Sequence, residues 1–178
     1  SCGHIMSVRN LDYLFDPASI AVIGASARPA SVGSTVWNNL LQGGFAGALY
    51  PVNPKYKTLG AHAAFASVGD LPAAPDLAVI CTPPASVPGL VSELAACGAR
   101  AAIVLTAGLD AAQKQAMLDA ARPRLLRLLG PNCIGLLSTH ARLNASFAHI
   151  NARPGELAFV SQSGALVTAM LDWADAKS

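Results

Sequence analysis

A strand, a glycine-containing loop and a helix follow one another near the start of this sequence, and this succession limits what the chain can fold into. Residues 20–23 read Ile-Ala-Val-Ile, an apolar run typical of a strand that is buried on both faces of a parallel sheet. The run ends at Gly24, and a polar loop continues to Gly33. From Ser34 onward the apolar residues recur at helical spacing. The residues expected to share the apolar face are Val36, Leu40 and Leu41.

The loop between this strand and this helix has the features of a phosphate-binding loop. Its backbone amides and the helix N-terminus form a partly positive concavity that suits a phosphate group. The dinucleotide-binding fingerprint is Gly-x-Gly-x-x-Gly, whereas eight residues separate Gly24 from Gly33 here. A longer loop that carries Ser26, Ser31 and Ser34 can surround a bulkier phosphate group with hydroxyl and amide donors. The alternative is that the two glycines only form the turn and begin the helix.

The composition favours a large buried core and gives little support to highly charged partners. Of the 178 residues, 53% are hydrophobic and 12% are charged, as doubly wound α/β folds require. The net charge of +2 is too small to indicate nucleic acid or an anionic membrane as a partner. No apolar run reaches the roughly 18 residues that a membrane-spanning helix needs, so we expect no membrane span.

The cysteines and the first residues are expected to have no role in chemistry. Cys2, Cys81, Cys97 and Cys133 lack paired metal spacing, and we interpret them as reduced, small apolar residues of a cytoplasmic protein. A nucleophilic Cys133 at a loop tip is the alternative to a buried structural thiol. Residues 1–6 are interpreted as an expression scar followed by the start Met, and they are left out of the fold prediction.

Strands and helices alternate along the rest of the chain. Strands are expected at 48–52, 76–81, 101–105, 125–129 and 156–160, an edge strand at 143–147, and helices at 87–96, 110–121 and 164–174. This alternation predicts an α/β fold with a Rossmann-like, doubly wound, mostly parallel sheet. We assign residues 7–150 to that domain and residues 151–178 to the start of a second domain.

Small or polar segments follow four of the expected strands, where ligands of such sheets bind. Lys55 stands near the position where NAD-binding units hold a carboxylate, so a phosphorylated ribose, as in NADP or coenzyme A (CoA), is favoured over NAD. A solvated surface lysine is the alternative. Thr82-Pro83-Pro84 fits a flat apolar wall for adenine or pantetheine, or else a stiff connection. In Thr106-Ala107-Gly108, the glycine allows the backbone to approach a ligand.

A second strand-to-helix loop, Ser161-Gln162-Ser163-Gly164, repeats the phosphate-binding pattern. Two hydroxyls and the amides before the helix can hold a second phosphate or a phosphorylated side chain. The alternative is that a serine only caps the helix. The loop is not the hydrolase motif Gly-x-Ser-x-Gly, because position 161 is serine.

Six motifs in one order give the chain a family resemblance. They are Ala-Val-Ile-Gly-Ala-Ser at 21–26, Tyr-Pro-Val-Asn-Pro-Lys at 50–55, Leu-Thr-Ala-Gly at 105–108, Leu-Gly-Pro-Asn-Cys-Ile-Gly at 129–135, Leu-Asn-Ala-Ser-Phe at 143–147 and Phe-Val-Ser-Gln-Ser-Gly-Ala-Leu at 159–166. Over residues 11–175 the chain resembles the N-terminal part of the NDP-forming acyl-CoA synthetases, relatives of the succinyl-CoA synthetase α chain.

The resemblance implies a Rossmann-like domain that binds CoA or acetyl-CoA, followed by the first strand and helix of a flavodoxin-like domain. The residues implied to bind the cofactor are Gly24, Ala25, Ser26, Ser31, Val32, Gly33, Lys55, Thr82, Pro83, Pro84, Thr106, Ala107 and Gly108. Those implied to receive a phosphate carried by histidine are Ser161, Gln162, Ser163 and Gly164. The phosphohistidine and the parts that bind ATP or ADP are expected outside this chain, which then holds no catalytic residue of its own.

The resemblance leaves two kinds of parent protein open. One is an ADP-forming acetate–CoA ligase, and the other is a bacterial protein-lysine acetyltransferase fused to a synthetase-like sensor region. The start at 8–15 and the residues 171–174 resemble the fused type, which we therefore favour as the parent and in which this region is expected to bind or sense acetyl-CoA. The expected partners are CoA or acyl-CoA and the other domains of the parent, with a homo-oligomer as a further possibility.

Two functions of other classes compete with CoA binding. The first is an NADP-binding oxidoreductase or redox-sensing domain, but the fingerprint's third glycine and a partner residue for hydride transfer are missing. The second is a structural oligomerisation domain, which leaves the polar segments at four strand ends without a reason.

Overall fold

The computed structural model describes residues 8–177, so the expected expression scar at 1–6 and Cys2 lie outside the described residues. The helices are α1 (Asp12–Phe15), α2 (Val32–Gln42), α3 (Val87–Cys97), α4 (Ala111–Ala121) and α5 (Gly164–Ala176). The strands are β1 (Ser19–Ile23), β2 (Ala48–Val52), β3 (Thr58–Leu59), β4 (His62–Ala63), β5 (Leu77–Ile80), β6 (Ala101–Val104), β7 (Arg127–Leu129), β8 (Gly135–Ser138) and β9 (Leu143–Ser146).

The central sheet has five strands in the order β2-β1-β5-β6-β7, and all of its neighbours run parallel. Counted along the chain, this is the order 2-1-3-4-5 of a doubly wound sheet, in which the first and third strands part at a switch point. Ile23 pairs with both Val52 and Ile80, so β1, β2 and β5 end at one edge of the sheet. The predicted fold class is confirmed, and the register brings the segments after these strands together.

Both faces of the sheet are covered, because successive side chains of each strand point to opposite sides. In β1, Ala21 and Ile23 pack into one buried cluster with residues of α3 and α4. Ile20 and Val22 pack into the other cluster with residues of α2 and β9. The apolar face of α2 is confirmed for Val36 and Leu40, both fully buried. Leu41 was wrongly placed on it, since its side chain is 41% exposed.

Two small antiparallel ribbons lie outside the central sheet. Strands β3 and β4 form a hairpin in a segment for which the sequence predicted no strand. Strand β9 was expected at an edge of the sheet, but it pairs with β8 in a separate two-stranded ribbon. This ribbon packs on α2, where Leu143 and Ala145 are buried. The apolar residues of β9 are therefore covered by a helix, and the strand needs no place in the main sheet.

The expected buried strand at 156–160 is wrong for the described part of the chain. This segment is irregular, and Leu157 and Val160 are 91% and 96% exposed. A parallel strand needs a neighbouring strand to pair its amides and carbonyls. Within residues 8–177, no strand pairs with this segment. The helix that follows it, α5, does form, but none of its described residues is buried.

Across residues 8–177, no helix combines the length and the apolar character that crossing a lipid bilayer requires.

Candidate functional site

A cleft of about 390 Å³ opens at the carboxyl ends of β1, β2 and β5. Its lining is formed by Ile23, Gly24, Val52, Asn53, Pro54, Lys55, Ala66, Ser67, Val68, Thr82, Ser86, Leu90 and Glu93. Aliphatic side chains and proline supply about half of the lining residues, and polar or charged residues supply nearly all of the others. The cleft coincides with the switch point of the sheet, where doubly wound folds bind their ligands. Three of the sequence-predicted residues, Gly24, Lys55 and Thr82, meet here.

The two loop glycines bring the start of α2 against the end of β1. Gly24 has a φ of +92°, a conformation that other residues rarely adopt. A Cβ on Gly33 would collide with the carbonyl oxygen of Gly24. Gly33 is thus needed for close packing between helix and strand, a role that the third glycine has in the dinucleotide fingerprint. The alternative interpretation of these glycines, as turn and helix start, accounts for their positions.

Ser31 caps α2, which begins at Val32, two residues before the predicted start at Ser34. Its side-chain oxygen accepts a hydrogen bond from the Ser34 amide at 3.2 Å and donates one to the Arg28 carbonyl at 2.8 Å. Ser34 is only 8% exposed, and its role as a ligand donor stays a prediction. Ser31, Val32 and Gly33 lie beside the cleft rather than in its lining. Capping, which favours serine at this position, explains Ser31.

The turn after β2 holds the glycine loop from the side. The Asn53 side chain donates a hydrogen bond to the carbonyl of buried Ala25 at 2.8 Å, and it accepts one from the Lys55 amide at 3.0 Å. The Tyr56 hydroxyl lies 3.2 Å from the Ser26 hydroxyl and accepts from the Ala27 amide at 3.3 Å. Asn53 and Tyr56 therefore connect the two loops.

The sequence prediction missed these contacts of Asn53 and Tyr56. The hydrogen bonds that the Tyr56 phenol shares with the Ser26 hydroxyl and the Ala27 amide lower its pKa, with smaller contributions from the charges of Lys55 and Arg28. The Asn-Pro-Lys-Tyr turn was the available signal, since asparagine followed by proline marks a turn after a strand.

Lys55 lies on the rim of the cleft with an exposed side chain. Within residues 8–177 its ammonium forms no ion pair with a carboxylate. Glu93, on α3, lines another part of the same cleft and is also exposed. The rim thus offers one cation to an incoming anion, at the end of β2, where the sequence placed it.

Thr82-Pro83-Pro84 and Thr106-Ala107-Gly108 lie next to each other, as expected for segments that follow neighbouring strands. The Thr106 hydroxyl donates to the carbonyl of Thr82 at 2.7 Å. The Ser86 hydroxyl lies 2.7 Å from that of Thr82 and 2.8 Å from the carbonyl of Pro83. Only Thr82 of these predicted residues lines the cleft. The others extend the same edge of the sheet beyond it.

The Ser161-Gln162-Ser163-Gly164 loop is separate from the cleft. The Ser163 side chain caps α5 by accepting from the Leu166 amide at 3.3 Å. Ser161 in turn accepts from the Ser163 amide at 3.0 Å. The helix-cap interpretation is therefore correct for Ser163. The phosphate-binding role of the loop stays a prediction.

Two of the free cysteines have thiols that resist ionisation. Burial raises the pKa of Cys81 to about 12 and also raises that of Cys133. A buried structural thiol at Cys133 is thus favoured over a nucleophile. Cys97 is exposed at the end of α3. The described residues contain no cluster of His, Cys, Asp and Glu that could hold a metal ion.

Comparison with known proteins identifies relatives for nearly the whole chain. A family model described as a CoA binding domain matches residues 18–139. Acetate–CoA ligase (ADP-forming) I of Archaeoglobus fulgidus is 36% identical over 169 residues, which are 92% of this chain and 24% of that protein. The α subunit of acetate–CoA ligase (ADP-forming) I of Pyrococcus furiosus is 37% identical over 174 residues, 92% of this chain and 38% of the subunit.

A solved structure shows the same architecture. The apo form of dinucleotide-forming acetyl-coenzyme A synthetase 1 from Ca. Korarchaeum cryptofilum superposes with a TM-score of 0.90 at 37% identity, over 94% of this chain and 37% of that one. Its complex with phosphate and ADP gives a TM-score of 0.88 at 38% identity, over 92% and 36%. This chain spans between 24% and 38% of the length of these relatives. The chain belongs to the CoA-binding domain family and is a CoA-binding domain of the kind found in ADP-forming acyl-CoA synthetase-like proteins.

Proposed function

We propose that this chain binds CoA or acetyl-CoA with its nucleotide end in the cleft between β1, β2 and β5. The observation that carries the proposal is the position of this cleft, at the switch point of a sheet that belongs to a CoA-binding family. The ammonium of Lys55, which pairs with no carboxylate within residues 8–177, lies on its rim. Aliphatic walls suit a nucleobase, and a rim cation suits a ribose phosphate.

The end of β2 favours a phosphorylated ribose over an unmodified one. NAD-binding domains place a carboxylate near this point to accept hydrogen bonds from the ribose hydroxyls. Here Asn53 occupies the turn, and its side chain is already bonded to Ala25 and Lys55. Lys55 then offers a charge that the 3′-phosphate of CoA can pair with. The same charge suits the 2′-phosphate of NADP, so the two cofactors have to be compared directly.

The remaining predicted residues have supporting roles in this proposal. Ser26 and the amides of the glycine loop take the pyrophosphate, and Ser31, Val32 and Gly33 fix the helix that follows. The segments 82–84 and 106–108 continue along the edge of the sheet, and the pantetheine arm extends along them in this proposal. Val87 and Leu109, which follow these segments closely in the chain, are buried and anchor them to the core.

We further propose that the parent protein is an ADP-forming acid–CoA ligase of the cytoplasm. Its support is that relatives which match 92% of this chain have that activity in their names. In such a parent, the Ser161-to-Gly164 loop receives a phosphoryl group, and the binding of ATP or ADP belongs to parts outside this chain. A fused protein-lysine acetyltransferase that senses acetyl-CoA stays a prediction.

Isothermal titration calorimetry of this chain with CoA, acetyl-CoA and NADP tests the proposal. We expect one site per chain for CoA and acetyl-CoA, and weaker or no binding of NADP. Binding of NADP as tight as that of CoA would favour the oxidoreductase function instead. Absence of heat with all three ligands, from a chain that is folded by circular dichroism, would refute the proposed function.

A further inference from the structure

The hydroxyl of Tyr56 occupies a position that would suit an anion. It accepts a hydrogen bond from the Ala27 amide at 3.3 Å and lies 3.2 Å from the Ser26 hydroxyl. Among the described residues, Lys55 and Arg28 are the ones whose charges act on the phenol, and both are cationic. An amide, a hydroxyl and two cations are the groups that proteins use to bind a phosphate oxygen.

Two other hydrogen bonds of this loop are made within the loop itself. The Arg28 amide donates to the Ser26 hydroxyl at 2.9 Å, and the Ser31 amide donates to the Arg28 carbonyl at 3.3 Å. Breaking these bonds would unfold the turn before α2. The Ala27 amide differs, since its partner belongs to a side chain from the turn after β2. That bond can be exchanged for another acceptor while the loop keeps its shape.

Tyr56 is also free to leave this position. Its side chain is only partly buried, and its ring takes no part in either buried apolar cluster. Asn53, which makes the other connection between the loops, bonds to the Ala25 carbonyl and not to a donor of the loop. Movement of Tyr56 would therefore release the Ser26 hydroxyl and the Ala27 amide without opening the contact made by Asn53.

We propose that the phenol oxygen of Tyr56 occupies the place of a phosphate oxygen of the ligand, and that binding exchanges the phenol for the phosphate. The inference rests on the proposed CoA binding and adds a residue that sets the affinity. Tyr56 is a positioning residue in this scheme, because it acts through Ser26 and Ala27. Its contacts also lower the pKa of the phenol in the free chain, so the exchange has a spectroscopic signature.

Tyr56→Phe removes the competing oxygen and keeps the ring. We expect this variant to bind CoA about fivefold more tightly, which corresponds to one ordinary hydrogen bond that no longer has to be broken. Tyr13→Phe is the matched control, because the Tyr13 ring lies near Arg100, at 5.9 Å from its guanidinium carbon to the ring centroid, and far along the chain from this site. Its affinity for CoA should equal that of the wild type.

A second measurement needs no substitution of Tyr56. In the wild type, saturating CoA should raise the pKa of the Tyr56 phenol, since the phenol loses the hydrogen bonds that lower it and gains a phosphate as neighbour. Nuclear magnetic resonance of ring-labelled tyrosine follows this titration, with Tyr13→Phe and Tyr50→Phe assigning the other two signals.

The outcomes separate the two proposals. A wild type that binds no CoA refutes the proposed function and this inference together. If the wild type binds CoA but Tyr56→Phe binds equally or more weakly, the exchange is wrong while the proposed function stands. A phenol pKa that CoA leaves unchanged in the wild type also overturns the exchange, even if the variant does not fold.

Discussion

Replacing Lys55 by alanine isolates the contribution of the rim cation to ligand binding. The side chain is exposed and forms no ion pair within residues 8–177, so its removal leaves no buried group without a partner. The variant should therefore keep the stability of the wild type. The affinity for CoA then reports the effect of the substitution on binding directly.

The magnitude follows from the chemistry and exposure of the contact. Hydrogen bonds to charged groups contribute about 1.5–3 kcal/mol, but solvent screens an exposed lysine. We therefore expect a loss just below this range, about 1.4 kcal/mol, which corresponds to a roughly tenfold larger dissociation constant. The loss should shrink as salt is added, because the Debye length falls from about 10 Å at 0.1 M to about 3 Å at 1 M.

Calorimetry with CoA and with dephospho-CoA tells whether Lys55 contacts the ribose phosphate. Lys55→Ala should weaken binding of CoA tenfold and leave binding of dephospho-CoA nearly unchanged. Lys114→Ala is the matched control, since Lys114 is an exposed lysine on α4, away from the residues that line the cleft. An equal loss with both ligands would place the lysine against another part of CoA. No loss with either would make it the solvated surface lysine of the alternative interpretation.

Two further predictions concern the stability of the fold around the cleft. Gly33→Ala should lower the free energy of unfolding by about 1–3 kcal/mol, because the added methyl group collides with the carbonyl of Gly24. Urea unfolding measures this loss, with Gly89→Ala, at an exposed glycine, as the control. Unchanged stability would show that α2 can move away from β1. Burial raises the pKa of the Cys81 thiol from 9.0 to about 12, so between these pH values the thiol stays protonated in the folded chain and ionises in the unfolded one. The stability due to this group is therefore fully present below pH 9 and falls by up to about 1.4 kcal/mol per pH unit between pH 9 and 12. Urea unfolding at several pH values measures this slope, which the Cys81→Ala variant should lose. The same pH dependence in both proteins would contradict the burial of the thiol.

The calorimetric comparison of CoA with NADP and the Tyr56→Phe titration complete the set of tests. The first concerns the class of ligand, and the second concerns how the loop before α2 accepts it. Because Lys55 and Tyr56 are neighbours, their substitutions should not be additive when combined. Lys55→Ala alone removes a cation near the phenol, so the pKa of Tyr56 should rise in this variant even without CoA.

Local patterns in the sequence predicted most of the central sheet. Ile20 to Ile23 and Leu77 to Ile80 are continuous apolar runs, and both are strands buried on two faces. Asp110 with Gln113 forms a capping box at the start of α4, where a helix start was expected. Gly98, in the left-handed conformation, ends α3 close to the expected end at residue 96. Such signals are short-range, so a single sequence contains them in full.

The prediction failed where a segment's environment comes from distant parts of the chain. Glu156 to Val160 has the apolar pattern of a buried strand, but no neighbouring strand is available to it in residues 8–177. Strand β9 has the same kind of pattern, and α2 covers it in place of the central sheet. A hydrophobic pattern indicates that a segment has an apolar face, but it does not predict which element will cover that face.

The sequence by itself determined the strands of the central sheet, the helices between them, the two loop glycines and the cation after β2, because each depends on residues that are neighbours in the chain. Only the tertiary structure decided that Asn53 and Tyr56 reach across to Ala25, Ser26 and Ala27. Those contacts depend on the register in which Ile23 pairs with Val52, and a shift by one residue would separate the groups. The hydrogen-bonding residues lie about 30 positions apart in the chain, and the strand pairing brings them together. No local sequence pattern predicts such a contact.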